Sequence, residues 1–152
     1  MTPRSKAASR RSNRRSATPR RAGGRSARTP VDRLRAICLA LPEAMEKVAW
    51  GEPTWRVRGR LFAQLDDHHH GADYLAVWLP VPLGEQEAMI FTDPERFFRP
   101  PYVGHRGWVG VRIDRRPDWT VVARLVEQAY QLVAPPRLAE TVKPGVLRTR
   151  RG

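Results

Sequence analysis

Composition confines the folded part of this chain to its centre. The first 29 of the 152 residues contain ten basic side chains, no acidic one, and no aromatic or branched aliphatic residue. Such a segment cannot bury enough apolar surface to offset the entropy of ordering, so we expect a disordered basic tail over residues 1–29. Residues 141–152 form a second basic tail. One domain therefore has to form from residues 30–140, which are numerous enough to build a hydrophobic core.

The net charge of +13 lies on these two tails and not on the domain. Residues 30–140 carry 14 basic and 15 acidic side chains, a net charge of −1. A high isoelectric point commonly indicates a nucleic-acid-binding fold, but here that inference applies only to the tails. The chain has 25 arginines and only three lysines, a bias that a GC-rich genome also explains without any functional demand.

Several classes of protein are disfavoured by what the sequence lacks. A single cysteine, Cys38, excludes an intramolecular disulfide framework and fits a reducing cytosol, so we expect a cytoplasmic protein. No apolar run approaches the roughly 20 residues of a membrane span, and no apolar stretch follows the basic residues as in a secretory signal. No catalytic constellation has a mechanistic spacing. We therefore expect neither an enzyme, nor a cofactor, nor a metal site, nor a membrane partner.

Capping signals mark helices near both ends of the domain. Thr29, Pro30 and Asp32 are typical of an N-cap, a first helical residue and an acid at the third position, so they predict a first helix. Asp118 predicts the cap of a last long helix that ends at Pro135-Pro136. Between these two, residues 84–91 and 93–98 are expected to form short helical segments.

Short runs of strand-forming residues lie between the helices. They occupy residues 46–50, 54–57, 61–66, 73–79 and 108–113. Because short turns join most of them, they predict antiparallel pairing, with the helices packed on one face of the sheet. The sequence therefore predicts an α+β fold of two layers, a five-stranded antiparallel sheet with N- and C-terminal helices.

Three strings of residues carry a resemblance to a known family. They are Trp50-Gly51-x-Pro53-x-Trp55-x-Val57-Arg58-Gly59-Arg60-Leu61-Phe62-Ala63, Asp93-Pro94-x-x-Phe97-Phe98 and Tyr102-x-Gly104-x-x-Gly107-Trp108-Val109. In order and spacing they resemble the MmcQ/YjbR family of small bacterial proteins. The resemblance implies a helix, a five-stranded antiparallel sheet and a C-terminal helix. It also implies DNA binding through a double wing of hairpins, without catalytic residues or a cofactor.

The hairpin over residues 54–66 is the candidate wing. Strand alternation places Arg56 and Arg58 on one face, and Arg60 follows at the turn. Guanidinium groups match phosphate oxygens, so these arginines predict contacts to DNA, although a solvated turn around Gly59 is the simpler explanation. Arg112 and the tail arginines would add non-specific, salt-sensitive affinity for DNA. The tail arginines in question are Arg10, Arg11, Arg14, Arg15, Arg20 and Arg21.

The second hairpin tip does not fit a basic wing. It is expected at Asp66-Asp67-His68-His69-His70-Gly71, where two aspartates would repel phosphate at neutral pH. Adjacent histidines on a turn do not make a preorganised tetrahedral zinc site, so a polar turn is the simpler interpretation.

Clustered aromatic residues support a different class of function. In this alternative, the protein is a small-ligand or protein-interaction module with an aromatic groove, and the folded domain has no role in DNA binding. The candidate groove residues are Trp50, Trp55, Tyr102, His105 and Trp108. A place in the hydrophobic core explains such large aromatic side chains equally well.

Overall fold

The computed structural model describes residues 28–68 and 73–142. The helices of this part are α1 (Pro30–Leu39), α2 (Glu85–Thr92), α3 (Trp119–Val133) and α4 (Pro136–Ala139), and a 3-10 turn spans Gly104–Arg106. The strands are β1 (Ala44–Ala49), β2 (Glu52–Val57), β3 (Arg60–Asp67), β4 (Leu75–Leu79), β5 (Phe97–Phe98) and β6 (Val109–Arg112). Most of the predicted disordered tail at residues 1–29, most of the basic tail at residues 141–152, and the part of the predicted polar turn from His69 to Gly71 lie outside the described ranges.

Both long helices begin at the caps that the sequence predicts. The Thr29 hydroxyl accepts a hydrogen bond from the backbone N–H of Asp32 at 3.0 Å, and the Asp32 carboxylate accepts one from the backbone N–H of Thr29. The Asp118 carboxylate accepts from the backbone N–H groups of Thr120 and Val121. These bonds satisfy N–H groups that have no partner within their helix, so the caps set where α1 and α3 start.

In the part of the chain that the structure describes, the sheet has six antiparallel strands in the order β1-β2-β3-β4-β6-β5, and the prediction of five strands was wrong. The additional strand is β5, which was expected to be the end of a helical segment. Phe98 pairs with Gly110 of β6, where a Cβ atom would lie within 2.2 Å of the Phe98 ring. The absence of a side chain at Gly110 therefore lets the Phe98 ring lie across β6.

One face of the sheet forms the hydrophobic core with α1 and α3. Strand register places Trp55, Ala63, Leu65, Val77, Leu79, Val109 and Val111 on this face. A bulge in β3 directs Phe62 to the same side, where its ring meets Tyr130 of α3 edge-on at 5.4 Å. The Tyr130 hydroxyl donates to the Pro42 carbonyl oxygen at 2.7 Å. All of these aliphatic and aromatic side chains are buried, as expected for the inner layer of a two-layer fold.

The opposite face, called the open face below, carries a mixed row of side chains. The register aligns Thr54, Gln64, Trp78, Gly110 and Phe98 across five strands. No helix in the described part of the chain is both long and apolar enough to cross a membrane. The open face combines buried side chains, such as Thr54 and Trp78, with the half-buried Gln64 and Phe98. The α+β class, the antiparallel sheet and the terminal helices are as the sequence predicts.

Candidate functional site

A cavity of about 550 Å³ opens on the open face of the sheet. This volume is within the usual range for small-molecule sites. The lining includes Trp50, Glu52, Leu61, Gln64, Asp66, Trp78, Tyr102, Val103 and Arg106. These residues come from the β1–β2 turn, from three neighbouring strands and from the segment between β5 and β6, so the cavity exists only in the folded sheet.

Two exposed aromatic side chains line this cavity. Trp50 is 72% exposed and Tyr102 is 70% exposed, although side chains of this size usually gain most from burial. Both residues have left-handed backbone conformations, with φ of +54° and +63°. A bulky residue in this region is strained by about 1–3 kcal/mol. The fold therefore holds two aromatic rings at the cavity under backbone strain and without the benefit of a buried position.

The position of Trp50 is unusual for the turn that it occupies. Ala49 pairs with Glu52, so Trp50 and Gly51 are the two central residues of a hairpin turn, and both have positive φ. Such type I′ turns favour Asn, Asp or Gly at the first central position. Neither turn preference nor burial explains a tryptophan here, so a contact made by its exposed ring is the simplest explanation.

Carboxylates and a buried indole form the inner part of the cavity. Glu52 is 7% exposed, Asp66 is 3% exposed and Trp78 is 2% exposed. A carboxylate oxygen of Glu52 accepts a hydrogen bond from the backbone N–H of Asp67 at 2.8 Å. Arg106 is the one basic residue among the described residues of the lining, and Glu52 and Asp66 are the acidic ones. Aromatic surface and converging polar groups are the usual features of a ligand site.

A buried glutamine fixes the segment that carries Tyr102. Gln86 of α2 is 7% exposed, and its side-chain amide donates to the carbonyl oxygen of Gly104 at 2.8 Å and to that of Trp108. A Cβ atom at Gly104 would clash with the Arg99 side chain at 2.6 Å, so the segment also packs closely on itself. These contacts connect α2 to the cavity wall, although Gln86 is not among the lining residues.

The structure brings together only part of the aromatic groove that the sequence predicts. Trp50 and Tyr102 line the cavity, whereas Trp55 lies on the core face and is fully buried. The Trp55 indole N–H donates to the Glu46 carboxylate at 3.0 Å, so its assignment to the groove was wrong. His105 is exposed in the 3-10 turn, and Trp108 contributes a backbone carbonyl to Gln86; neither is among the cavity residues.

The arginines of the β2–β3 hairpin contact their own chain. Arg58 makes two hydrogen bonds to the Glu43 carboxylate, at 2.6 and 3.1 Å, and this interaction lowers the pKa of Glu43. The Arg56 guanidinium donates to the Thr54 hydroxyl at 3.3 Å. Arg60 is exposed where β3 begins. The three arginines of the predicted phosphate-binding wing therefore lie in different surroundings, and Arg58 is already paired with a carboxylate.

Arg112 is also engaged within the fold. Its guanidinium makes two hydrogen bonds to Asp114, at 2.9 and 3.2 Å, and lies 5.1 Å from the centre of the Tyr74 ring. The hydrogen bond from Arg112 lowers the pKa of Asp114. The six tail arginines that were predicted to contact DNA, Arg10 to Arg21, lie outside the described residues.

Sequence reasoning missed most of the inner cavity. Asp66 was expected at a hairpin tip, but β3 continues through Asp67, so Asp66 pairs with Ala76 inside the sheet and is buried. That prediction was wrong because β3 extends beyond its last apolar residue, Leu65, and includes both aspartates. The sequence did contain a signal for these two residues. By strand alternation, the side chains of Glu52 and Asp66 lie on the face of the sheet opposite to that of the buried apolar residues in the same strands. A charged residue at such a position predicts the face of the sheet opposite the core.

Comparison with known proteins places this fold in a family. A family model described as YjbR matches residues 39–132, which contain the entire cavity lining. The chain belongs to the YjbR family. The resemblance seen in the sequence is thereby confirmed, and this YjbR protein carries basic segments on both sides of the matched region.

One solved structure shows the same fold as this YjbR protein. It is the crystal structure of the Deinococcus radiodurans protein DR2400, with the family-model domain DUF419, and it is 24% identical with a TM-score of 0.59. The similarity covers 70% of this chain and 82% of that one. No curated protein matches the chain in sequence. The comparison therefore supports the architecture, and the function has to be argued from the site.

Proposed function

We propose that the folded domain of this YjbR protein is a non-enzymatic binding module whose ligand occupies the cavity on the open face. The observation that carries the proposal is the pair of exposed aromatic residues, Trp50 and Tyr102, both in left-handed conformations at the rim of a cavity of about 550 Å³. Strained backbone commonly persists where a binding site requires it. A small molecule or a side chain of a partner protein fits this volume.

The charges of the domain favour this function over phosphate binding by the fold. The lining residues in the described part of the chain include two buried carboxylates and one arginine, and buried carboxylates disfavour an incoming phosphate. At the hairpin, Arg58 already donates from Nε and Nη2 to Glu43, whose negative charge offsets its own. Within the described residues, basic and acidic side chains are balanced, 15 of each.

The test is a fragment screen on the full-length protein by ligand-observed NMR. Trp50→Asn and Tyr102→Asn remove the rings while supplying a residue that tolerates the left-handed region. We expect fragments to bind the wild-type protein and to lose about tenfold in affinity in either variant, roughly the contribution of one aromatic contact. Phe91→Ala, which removes a 90% exposed ring from α2 outside the cavity, is the matched control. Fragments that bind all four proteins equally would contradict the proposal.

A second function is favoured by the tails. Ten basic and no acidic side chains in residues 1–29 are suited to non-specific contacts with DNA phosphates. We propose that these contacts, and not the folded domain, account for any DNA binding by the full-length chain. Each phosphate neutralised on duplex DNA contributes about −0.9 to the slope of log affinity against log salt.

Two sets of substitutions in the full-length chain separate the tail from the hairpin. One replaces Arg10, Arg11, Arg14, Arg15, Arg20 and Arg21 by glutamine, and the other replaces Arg56, Arg58 and Arg60 by glutamine. Duplex-DNA titrations at two salt concentrations should show a strong loss of affinity and a smaller salt slope for the first set. A comparable loss for the hairpin set would assign the DNA contacts to the fold instead.

A further inference from the structure

We infer that Lys143 pairs its ammonium group with the carboxylate of Glu127 and thereby holds the end of the C-terminal basic tail, residues 143–152, against α3. This contact lies on the helical layer of the fold and is independent of the proposed function of the open-face cavity. Three observations support it: a buried carboxylate oxygen of Glu127, the position of Val142 at the end of the described chain, and the charge of the segment that follows.

Glu127 is a buried carboxylate in the long helix α3. Its side chain is 8% exposed. Its Oε1 atom is buried and accepts no hydrogen bond from the described part of the chain. Ionised carboxylates are rare in protein interiors unless a cation or hydrogen-bond donors accompany them, because the buried charge loses its hydration. A cationic partner is therefore expected for this side chain.

The basic residues of the described helices α1 and α3 do not supply that partner. Arg35 donates to the carboxylate of Glu46, and Arg33 lies 5.6 Å from the centre of an aromatic ring. Arg124 precedes Glu127 by three residues on α3, but its side chain is exposed, and it belongs to none of the ion pairs seen among the described residues. Arg124 is therefore the natural competitor against which Lys143 has to be tested.

A glutamine of α3 fixes the end of the described chain one helical turn from Glu127. Gln131 follows Glu127 by four residues, so the two side chains share one side of α3 and are separated by about 6 Å along the helix axis. The side-chain amide of Gln131 donates to the carbonyl oxygen of Val142 and, at 3.4 Å, to that of Ala139. Val142 also packs against the hydrophobic core. The backbone immediately before Lys143 is thus held beside the helical turn that carries Glu127.

The chemistry of the following segment matches the carboxylate. Residues 143–152 contain four basic side chains and no acidic one, and Lys143 is the first of them. Its flexible four-carbon stem suits it to reach across one helical turn. Pro144-Gly145 comes next, a pair typical of a turn, so Lys143 is the basic residue best placed to stay near Val142. The attraction is stronger than at the surface, because solvent screens a buried carboxylate less.

A double-mutant cycle in the full-length protein measures the pairing. Lys143→Gln and Glu127→Gln should each raise the unfolding equilibrium constant by about tenfold, because each leaves a buried or half-buried group without its partner. Once either change is present, the other should raise the constant by less than about threefold. The sign for Glu127→Gln is informative by itself: if the carboxylate had no cationic partner, its replacement by a neutral amide would stabilise the fold.

Two matched variants assign the effect to Lys143. Arg148→Gln removes the same charge five residues further along the tail, and Arg124→Gln removes the competing cation on α3. Neither should change the unfolding equilibrium constant by more than about twofold, as is usual for exposed charges. Neither should alter the effect of Glu127→Gln.

Hydrogen exchange provides a readout that does not depend on global stability. The amides of Thr141 and Val142 donate to the carbonyl oxygens of Leu138 and Ala139. If Lys143 holds the chain against α3, Glu127→Gln and Lys143→Gln should both accelerate exchange at these two amides by about tenfold, while the strands of the sheet exchange as in the wild type.

A coupling of about threefold or more between Glu127 and Lys143, together with faster exchange at Thr141 and Val142, supports the inference. A smaller coupling overturns it, as does a stabilising effect of Glu127→Gln. Coupling of Glu127 to Arg124 in place of Lys143 also overturns it and assigns the carboxylate to its own helix. None of these results bears on the ligand site of the open face.

Discussion

Trp50 and Trp55 lie five residues apart and have opposite surroundings. Trp55 is fully buried on the core face, and its indole N–H donates to Glu46. Trp50 is 72% exposed at the first central position of a turn whose backbone suits Asn or Gly. Burial explains the tryptophan at position 55. Neither burial nor the residue preference of the turn explains the tryptophan at position 50, so Trp50 is the residue whose identity most needs a functional explanation.

Replacing Trp50 should separate stability from binding. Trp50→Asn removes a bulky residue from the left-handed region and creates an Asn-Gly turn, so we expect the free energy of unfolding to rise by about 1 kcal/mol. The same change should lower the affinity of the cavity for its ligand. Urea denaturation of wild type and variant measures the first effect. A clear loss of stability would show that the Trp50 ring contributes to packing, against the role proposed here.

Acid should weaken the fold partly through one carboxylate. Glu46 accepts hydrogen bonds from Arg35, at 2.8 and 3.0 Å, and these lower its pKa in the folded protein. A carboxyl group with a lowered folded-state pKa stabilises the fold above its unfolded pKa, and that contribution is lost as the pH falls through the folded value. The stability difference between wild type and Glu46→Gln should therefore shrink as the pH falls below about 4.3, the ordinary value for glutamate.

Unfolding free energies of both proteins between neutral and acidic pH measure this difference. Glu43 and Asp114 also have lowered pKa values, but they are present in both proteins, so their contributions cancel in the comparison. A stability difference that does not change with pH would mean that the pairing between Arg35 and Glu46 is not coupled to folding.

At the scale of elements, the sequence predicts long elements well and a two-residue strand poorly. Capping residues locate α1 and α3, because these signals are local and have a defined chemistry. Phe97–Phe98 has no such signal, since two apolar residues after Asp93-Pro94 fit the end of a helical turn as well as a strand. Pairing of Phe97 with Val111 and of Phe98 with Gly110, both more than ten residues further along the chain, makes it β5.

A double-mutant cycle tests the packing of β5 on β6. Gly110→Ala would place a Cβ atom 2.2 Å from the Phe98 ring, and we expect it to destabilise the protein by about 1–3 kcal/mol. In a Phe98→Ala background the same change should cost much less, because the clashing ring is absent. Chemical denaturation of the four proteins gives the coupling energy. A coupling energy near zero would show that the Phe98 ring does not restrict the space above Gly110.

Gln86 should determine how firmly the cavity wall is held. Gln86→Leu removes the donor to the carbonyl oxygens of Gly104 and Trp108. We expect faster amide hydrogen exchange across residues 101–108, unchanged exchange in β2 and β3, and weaker ligand binding, because the segment that carries Tyr102 becomes less ordered. Glu87→Gln is the control on the same helix. Exchange that accelerates across the whole sheet would indicate a general loss of stability instead.

At the scale of the whole molecule, the sheet separates two roles. The core face packs against α1 and α3, and the open face holds the cavity. Hydrophobic periodicity predicts the fold class because it reports which residues alternate between faces. It does not report strand order, so it cannot reveal that Glu52, Asp66 and Trp78 line one cavity together with Tyr102. Trp50 and Tyr102 were found because their aromatic character is visible in the sequence.

The most direct test of the cavity as the ligand site is a single NMR comparison. A ¹H–¹⁵N correlation spectrum resolves the indole N–H signals of the tryptophans in the full-length protein, before and after addition of the tightest-binding fragment from the screen. We predict a large shift of the Trp50 signal and almost none of the Trp55 signal, because Trp55 is buried on the other face of the sheet. A Trp50 signal that does not move while the fragment is bound would contradict the proposed site.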